Sequence, residues 1–353
     1  MPATPLDPTR LNAFVGRFVG DFGAALHAAT IVLGDRLGLY RALAEAPATS
    51  AQLAERVGLR ERLVREWLRA QAASGYVEYD AAADCYAMTP EQTFALADPN
   101  GLGLPGAFLV SSSLMKDEER IVDAFRAGGA FGWHEHHHDL FHGTERFFRA
   151  SYRMSLVSDW IPALEGVQAR LEAGAHVADV GCGHGASTVL MAQAFPRSRF
   201  TGFDYHEGSV RAAREVARAA GLADRVTFEV ATAKTFDSGP YDLVACFDCL
   251  HDLGDPAGAA AHVRSRLAPD GTWLVVEPMA GDDVTANMNP VGRVFYSAST
   301  MICTPCSLAQ EVGAALGAQA GEAQLREVIT AGGFRHVRRA AETPFNLVLE
   351  ARP

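Results

Sequence analysis

The sequence has no long apolar run, few cysteines and no excess of positive charge. None of its apolar stretches reaches the roughly 18–20 residues of a membrane-spanning helix. Six cysteines in 353 residues are too few for a disulfide scaffold, so we expect reduced thiols. A formal net charge of −11 argues against an extended nucleic-acid footprint, which needs a basic surface. Because the first five residues lack the basic-then-apolar layout of a signal peptide, we expect a cytoplasmic protein.

The stretch from Val177 to Gly185 joins a short apolar run to an acidic residue, Asp179, and three glycines at alternate positions. A helical pattern follows at once. A strand that stops on such a turn and opens a helix lets backbone N–H groups face a ligand, because glycine has no Cβ. No Gly-Lys-Ser/Thr follows, which argues against a triphosphate site, and the spacing differs from the dinucleotide pattern G-x-G-x-x-G. A tight turn without a ligand is the alternative explanation.

Further along the chain, strands and helices alternate, which is typical of a parallel sheet with helices on both faces. We expect strands at residues 177–180, 200–203, 226–230, 241–247 and 273–276, and a closing antiparallel hairpin at 337–339 and 345–350. Ligands of such sheets bind beyond the carboxyl ends of the strands. Asp204 ends the second strand, where a carboxylate can accept hydrogen bonds from both hydroxyls of a ribose.

Together, the glycine turn and Asp204 resemble the first motifs of the class I S-adenosylmethionine (SAM) methyltransferases, which begin with acidic-x-G-x-G-x-G. The resemblance implies an α/β, Rossmann-like fold with SAM as the cofactor. It assigns to the cofactor Tyr152, Asp179, Gly181, Cys182, Gly183, Asp204, Tyr205, Thr232, Ala233, Phe247 and Asp248. The family often has an acidic residue after the third strand, but this chain has Ala231 to Lys234 there, so Thr232 or the backbone would replace it. Tyr152 is equally compatible with a plain core position.

His251 and Asp252 match two positions of the His-Asp-Trp stretch of plant-type small-molecule O-methyltransferases, with Leu253 in place of the tryptophan. The resemblance implies that His251 is a general base and that Glu277, at the end of the fifth strand, orients it. A histidine that only contacts the substrate is the alternative, because methyl transfer from a sulfonium needs little beyond in-line positioning. The later carboxylate of the family has no clear match, although Glu322 lies near it in order.

The N-terminal part predicts a helix over residues 10–40 that is apolar on nearly every side and must be covered. We expect a second subunit to cover it in a homodimer, and packing on its own chain is the alternative. Two helices near 49–58 and 60–74 and two short strands resemble a winged helix. Such a domain either binds DNA or supports dimerisation, as in the plant-type enzymes. Glutamates alternate with arginines on the second helix, which argues against DNA.

We expect a helical and winged-helix domain over 1–92, a linker and pocket region over 93–164, and a SAM-binding domain over 165–353 with a lid insertion at 278–320. The side chains expected to contact the substrate are Trp133, His138, Asn289 and Tyr296. His134 and His138 have a metal-ligand spacing, but a polar or pocket-lining loop is favoured and no metal is predicted. Packing in the lid is the default for Cys303 and Cys306, with thiol or metalloid binding as the alternative.

The sequence thus predicts a SAM-dependent methyltransferase that acts on a small molecule, most simply at a hydroxyl group. Two alternatives remain open at this point. One is a winged-helix transcriptional regulator that senses SAM or another ligand. The other is a thiol or arsenic methyltransferase that uses the lid cysteines. The identity of the acceptor is not indicated by any of these motifs.

Overall fold

The computed structural model describes residues 6–128 and 130–353, which divide into two units. One unit comprises the chain up to Ser113 together with His142–Ala150, and the other comprises Leu114–Phe141 and Ser151–Pro353. The expectation about a signal peptide rests on the first five residues, which lie outside the described part. In the described ranges, no helix combines the length and the apolar character that crossing a bilayer requires. All six cysteines are free thiols.

The first unit contains the helix-turn-helix and the hairpin that the sequence predicts. Its elements are α1 (Pro8–Arg36), α2 (Leu39–Glu45), α3 (Ser50–Val57), α4 (Glu61–Ala73), β1 (Glu78–Asp80), β2 (Cys85–Ala87) and α5 (Pro90–Leu96). Thr49 caps α3 in a reciprocal hydrogen-bonded pair with Gln52, and Gly58 ends that helix in the left-handed conformation. The single helix predicted over 10–40 is wrong at its end, because α1 stops at Arg36 and Gly38 (φ 71°) turns the chain into α2.

Two long helices, α6 (Pro105–Ala127) and α7 (Asp139–Ser151), follow. The chain continues from α7 as a π-helical stretch, Tyr152–Trp160, before α8 (Val167–Ala173) begins. The sequence predicted one helix as far as about Leu171. The structure breaks it, because Gly166 adopts a left-handed conformation (φ 71°) immediately before α8.

The second unit contains one seven-stranded sheet. Its strands are β3 (His176–Val180), β4 (Arg199–Asp204), β5 (Val226–Val230), β6 (Tyr241–Phe247), β7 (Leu267–Pro278), β8 (His336–Glu342) and β9 (Asn346–Arg352). The order across the sheet is β5-β4-β3-β6-β7-β9-β8, in which β9 runs antiparallel to both β7 and β8 and the other neighbouring strands are parallel. All seven predicted strands are therefore confirmed. The expected mixed α/β class is confirmed with them.

Helices connect these strands and cover the sheet. They are α9 (Ala186–Ala194), α10 (Glu207–Ala219), α11 (Pro256–Arg266), α12 (Pro290–Ala298), α13 (Thr304–Leu308) and α14 (Gly321–Ala331), with a π-helical turn at Ser299–Cys303. The central strands are mostly apolar and mostly buried, as is usual for parallel strands covered on both faces. Register pairs Val180 with both Phe203 and Cys246, so the carboxyl ends of β3, β4 and β6 meet at one edge.

Candidate active site

The glycine turn after β3 adopts a conformation that L side chains rarely take. Gly181, Gly183 and Gly185 have φ angles of 74°, 52° and 79°. A Cβ at Gly181 would lie 2.9 Å from the Cys249 sulfur, whereas a Cβ at Gly183 would meet no atom within 4 Å. The turn is therefore packed on one side at Gly181 and faces open space at Gly183.

The backbone N–H groups of this turn are used within the protein. Those of Gly181 and Cys182 both donate to the Phe203 carbonyl (2.8 and 3.0 Å), and that of Gly183 donates to Asp204 Oδ2 (3.0 Å). The expectation that these N–H groups face a ligand is therefore wrong. Because the donors are consumed by β4, this part of the turn can offer a ligand only backbone carbonyls, which attract positive charge.

Asp179, at the end of β3, is buried and holds the start of α9. Its Oδ2 accepts hydrogen bonds from the hydroxyls of Ser187 and Thr188, both at 2.6 Å. Its Oδ1 is buried and has no hydrogen-bond partner among the residues that the structure describes. Burial raises the pKa of this carboxyl to about 6, although the two hydroxyls oppose the rise. An unpartnered carboxylate oxygen is costly, so a cationic ligand beside it would be stabilising.

Asp204 is also buried and is held by backbone donors on both sides. Its Oδ2 accepts from Gly183, and its Oδ1 accepts from the N–H of His206 at 2.8 Å. Burial raises its pKa, and these two backbone hydrogen bonds counteract the rise. Each oxygen uses one lone pair in this way and retains another. The carboxylate can therefore accept two further hydrogen bonds from a diol.

A second group of predicted residues lies after β6. The Phe247 ring is 5.2 Å from that of Tyr152, and the Tyr152 hydroxyl donates to Asp248 Oδ2 at 3.4 Å. Asp248 has a positive φ of 50°, which places a non-glycine residue in the left-handed region. Burial, reinforced by the charge of Glu277, raises the pKa of Asp248 to about 8. The carboxyl group is held close to neutrality until a positive charge approaches.

His251 and Glu277 form a buried pair at the ends of β6 and β7. His251 Nδ1 is in very short contact with Glu277 Oε2, and Glu277 Oε1 accepts the N–H of Leu250 at 2.8 Å. On the other side of the ring, Nε2 is 3.1 Å from Asp252 Oδ1. Burial alone lowers the pKa of His251, but the charges of Glu277 and Asp252 together raise it well above its usual value. The ring is oriented by one carboxylate and faces a second.

Three predicted residues lie on a histidine-rich segment or next to it. The Tyr205 ring is in edge contact with that of His134 (5.9 Å), and Trp133 packs against Phe141 at 5.4 Å. His138 is largely exposed beside His137. Burial raises the pKa of Tyr205. The structure thus joins Tyr205 to the segment that contains Trp133.

The remaining predicted residues have local partners that explain them. Thr232 shares hydrogen bonds with Thr235 in its own turn, and Ala233 packs against the sheet core. Both polar groups of Asn289 serve α12: Oδ1 accepts from Gly292, and Nδ2 donates to the Ala286 carbonyl. Their ligand contacts stay predictions.

Two further residues, on α12 and α14, also have assigned neighbours. Tyr296 is within 3.5 Å of Asn287 Nδ2. Glu322 is paired with Arg326 and Arg339, so it does not supply the missing carboxylate near His251.

Sequence reasoning missed two contacts in this region. Asn346, at the start of β9, donates to Asp248 Oδ1 at 3.4 Å and lies 3.2 Å from the Ser151 hydroxyl. Cys303 lies beside His251 and Asp252. The Cys-x-x-Cys spacing was visible in the sequence, but its neighbours were not, because they come from a distant loop. For Asn346 the sequence contains no comparable signal.

These features fit SAM, which has a positively charged ammonium group, a sulfonium and a ribose diol. Carbonyls of the glycine turn and the unpartnered Asp179 oxygen suit the ammonium group. The free lone pairs of Asp204 suit the diol, and Asp248 suits the sulfonium. The open space at Gly183 leaves room beside the turn. These acceptor groups therefore match the cofactor that the sequence predicts.

Comparison with known proteins identifies two domains in the chain. Residues 171–329 match the family model of a methyltransferase domain, and residues 24–98 match that of an Rv2258c-like winged helix-turn-helix domain. The mitomycin biosynthesis 6-O-methyltransferase of Streptomyces lavendulae is 27% identical over 300 residues, 80% of this chain and 84% of the relative. The ubiquinone biosynthesis O-methyltransferase of Bordetella avium is 32% identical over 142 residues, 39% of this chain and 52% of the relative.

Several curated relatives are matched over only part of their length, between 23% and 52%. Among solved structures, human N-acetylserotonin methyltransferase in complex with SAM superposes with a TM-score of 0.70 at 16% identity, covering 99% of both chains. A likeness at this identity shows the fold. The chain therefore contains a methyltransferase domain with the fold of this neighbour, preceded by a winged helix-turn-helix domain.

Proposed function

We propose that the protein transfers the methyl group of SAM to a hydroxyl group of a small molecule, with His251 as the general base. The main support is the buried His251–Glu277 pair, which lies at the same edge of the sheet as the glycine turn and Asp204. Ligands of open α/β sheets bind at this edge. Relatives named for O-methylation in mitomycin and ubiquinone biosynthesis favour a hydroxyl acceptor.

The cofactor would be held by the residues described above. Asp204 would accept both ribose hydroxyls, and Asp179 with the Gly181–Gly183 carbonyls would face the ammonium group. Tyr152 and Asp248 would lie at the sulfonium, with Phe247 beside them, while Tyr205, Thr232 and Ala233 would contact the adenine. SAM supplies an electrophilic methyl carbon, so most of the acceleration comes from correct placement of the acceptor.

In this mechanism His251 removes the proton of the acceptor hydroxyl. Glu277 holds the ring through Nδ1, which leaves Nε2, on the side of Asp252, as the nitrogen that would take the proton. Because Glu277 and Asp252 raise the pKa of His251, the ring must lose its proton before it can act as the base, and the two carboxylates then stabilise the imidazolium that proton uptake creates. General-base catalysis of this kind contributes about 10²–10⁴ in rate. The acceptor itself would contact Trp133, His138, Asn289 and Tyr296, as the sequence predicts.

Cofactor binding tests the first half of this proposal. At about 100 times its dissociation constant, SAM should stabilise the fold by about 2.7 kcal/mol. For a domain of this size, that corresponds to a rise of about 5–10 °C in melting temperature. Thermal denaturation with and without SAM measures it, with NAD as the control ligand. A melting temperature that rises with NAD and not with SAM would overturn the cofactor assignment.

Methyl transfer tests the second half. Incubation with SAM labelled in the methyl group should move label to a small-molecule fraction of a cell extract. Label that appears on protein or nucleic acid instead would contradict a small-molecule acceptor. A methyl thioether or a methylated arsenical as the product would favour thiol or metalloid chemistry over a hydroxyl acceptor.

We also propose a homodimer formed through α1. Large apolar side chains on this helix are exposed in the single chain: Leu11, Phe14, Val15, Phe18, Val19, Phe22 and Leu26. Phe18 and Phe22 stack on one another with ring centroids 5.7 Å apart. Monomeric proteins rarely leave so continuous an apolar face in water, and the residues recur at the three-four spacing of one helical stripe. A second copy of the same stripe is a matching cover.

Introducing charge into this stripe should break the dimer. The double variant Phe18→Glu/Phe22→Glu should be monomeric by light scattering at micromolar concentration, because two buried carboxylates would face each other across the interface. Phe125→Glu, an exposed phenylalanine of α6, is the matched control and should leave the mass unchanged. A monomeric wild-type protein, or a double variant that remains dimeric, would rule out this interface.

The winged helix is not proposed to bind nucleic acid. On α4, the helix that would face phosphates, Arg62 pairs with Glu66 at 2.5 Å and Arg65 pairs with Glu61 at 2.7 Å. These pairs neutralise the charge that DNA binding requires. The free thiols are compatible with the reducing cytoplasm, where we place the enzyme.

A further inference from the structure

His251 and Asp252 meet Cys303 in a buried cluster of potential metal ligands. His251 and Asp252 come from the loop after β6, and Cys303 comes from the π-helical turn between α12 and α13. The imidazole nitrogen, a carboxylate oxygen and the thiol sulfur all lie within 4.8 Å of one another. His251 and Cys303 are buried, and the Asp252 side chain is 23% exposed. The cluster is thus enclosed on most sides and reachable from one.

The three side chains are in polar contact with one another, but one oxygen among them lacks a well-formed hydrogen bond. His251 Nε2 is 3.1 Å from Asp252 Oδ1, and in the part of the chain that the structure describes this buried oxygen has no partner with good hydrogen-bond geometry. Two ligand atoms about 3 Å apart can both bind one zinc ion that lies to the side of the line joining them, since zinc bonds to nitrogen and oxygen are about 2.0–2.2 Å long. His251 is also prepared for such a role, because Glu277 holds its Nδ1. Metal-binding histidines almost always have their other nitrogen bonded to a carboxylate or carbonyl, which fixes the ring.

We propose that His251 Nε2, the Asp252 carboxylate and Cys303 Sγ form a binding site for a zinc ion. Nitrogen, oxygen and thiolate are the ligand types that zinc prefers, and three protein ligands with one open position are the usual arrangement in its catalytic sites. Tetrahedral coordination would set the ligand atoms about 3.3–3.6 Å apart. Small rotations of the three side chains would bring the ligand atoms from within 4.8 Å of one another to that spacing. On binding, zinc displaces the thiol proton of Cys303 and any proton on Nε2.

Two other clusters are weaker candidates. His137, His138 and Asp139 are close enough to bind a metal, but Lys116 already contacts the Asp139 carboxylate at 2.5 Å. The ammonium group therefore occupies the place of a cation. Cys306 lies one helical turn beyond Cys303, and its sulfur is 3.8 Å from His136 Nε2. That pair has only two ligands.

Zinc at this site would block the proposed base. While Nε2 is coordinated it has no lone pair for the acceptor proton, so bound zinc should inhibit methyl transfer. This consequence depends on the proposed function, whereas metal binding itself does not. The rate of methyl transfer would then fall as the concentration of free zinc rises.

The test uses the purified full-length protein, zinc chloride and cobalt chloride. We expect about one zinc per chain in a competition titration with a fluorescent chelator. Cys303→Ser should weaken zinc by at least about 100-fold, because even loss of an orienting partner costs 10–100-fold. Glu277→Gln should weaken zinc binding by about 10–100-fold, because it removes the partner that orients the ring. Cobalt should give a thiolate charge-transfer band in the wild type that is absent in Cys303→Ser.

Cys306→Ser is the matched control, since it makes the same change on the same short segment. It should retain both the zinc affinity and the cobalt band. No stoichiometric zinc binding, or equal loss in both serine variants, would overturn the assigned site. If zinc binds as described but raises the rate of methyl transfer, the site stands and the base role of His251 is contradicted. If zinc binds and the rate falls, both are supported.

Discussion

Asp204→Ala should weaken SAM binding by about 100-fold. The carboxylate would accept two charge-assisted hydrogen bonds from the ribose, each contributing about 1.5–3 kcal/mol. Loss of about 3 kcal/mol corresponds to a 100-fold rise in the dissociation constant. Calorimetric titration with SAM measures this directly. The same change removes the acceptor of the Gly183 and His206 N–H groups, so the glycine turn is also less well held.

Glu229→Ala is the control for this result. Glu229 is an exposed carboxylate on the adjacent strand β5, paired in register with Phe203, and it should be replaceable without loss of affinity. The melting temperature of ligand-free Asp204→Ala shows whether the variant is folded. A folded variant with unaltered affinity would exclude Asp204 from ribose binding.

His251→Gln should lower turnover by about 10²–10⁴ while SAM affinity stays near that of the wild type. Glutamine can still donate a hydrogen bond to Glu277, so the buried carboxylate is not left without a partner, but it cannot accept a proton near neutral pH. Rates under saturating SAM and acceptor measure the chemical step. Calorimetric titration of the same variant with SAM measures its cofactor affinity.

His262→Gln is the matched histidine control. His262 lies on α11 and its Nε2 is 2.7 Å from the Phe236 carbonyl, away from the base. Its replacement should leave turnover unchanged. Full activity in His251→Gln would exclude base catalysis by this residue and leave proximity as the explanation. Glu277→Gln should give a smaller loss, because it disturbs orientation and not the proton acceptor.

The seven strands and most helices could be predicted because their signals are local. Val177–Val180 and Tyr241–Phe247 are short apolar runs bounded by turn residues, and the helix of Ser50–Val57 has its cap and its terminal glycine within ten residues. Errors occurred where one backbone position overrides a favourable pattern. Gly38 divides a long apolar helix into two, because its left-handed conformation cannot continue α1.

Residue types at the site could also be predicted, but their hydrogen bonds could not. The glycines, Asp179 and Asp204 were identifiable from spacing along one βαβ unit. The sequence could not show which backbone groups of the turn are available to a ligand. The N–H groups of Gly181 and Cys182 are not available, because both donate to the Phe203 carbonyl. That contact depends on how β4 lies beside β3. The sequence therefore predicts hydrogen-bond donors at the glycine turn, whereas the folded turn offers a ligand hydrogen-bond acceptors.

Spacing in the chain was sufficient to identify a methyltransferase with a winged helix, since the strand–glycine–helix unit and the capped helices are each encoded within a few residues. The environment of His251 depends on contacts between segments far apart in the chain. Glu277 comes from the next strand of the sheet, and Cys303 comes from the insertion that follows it. Folding alone brings them together, because neighbouring strands and the helices above them are set by topology and packing.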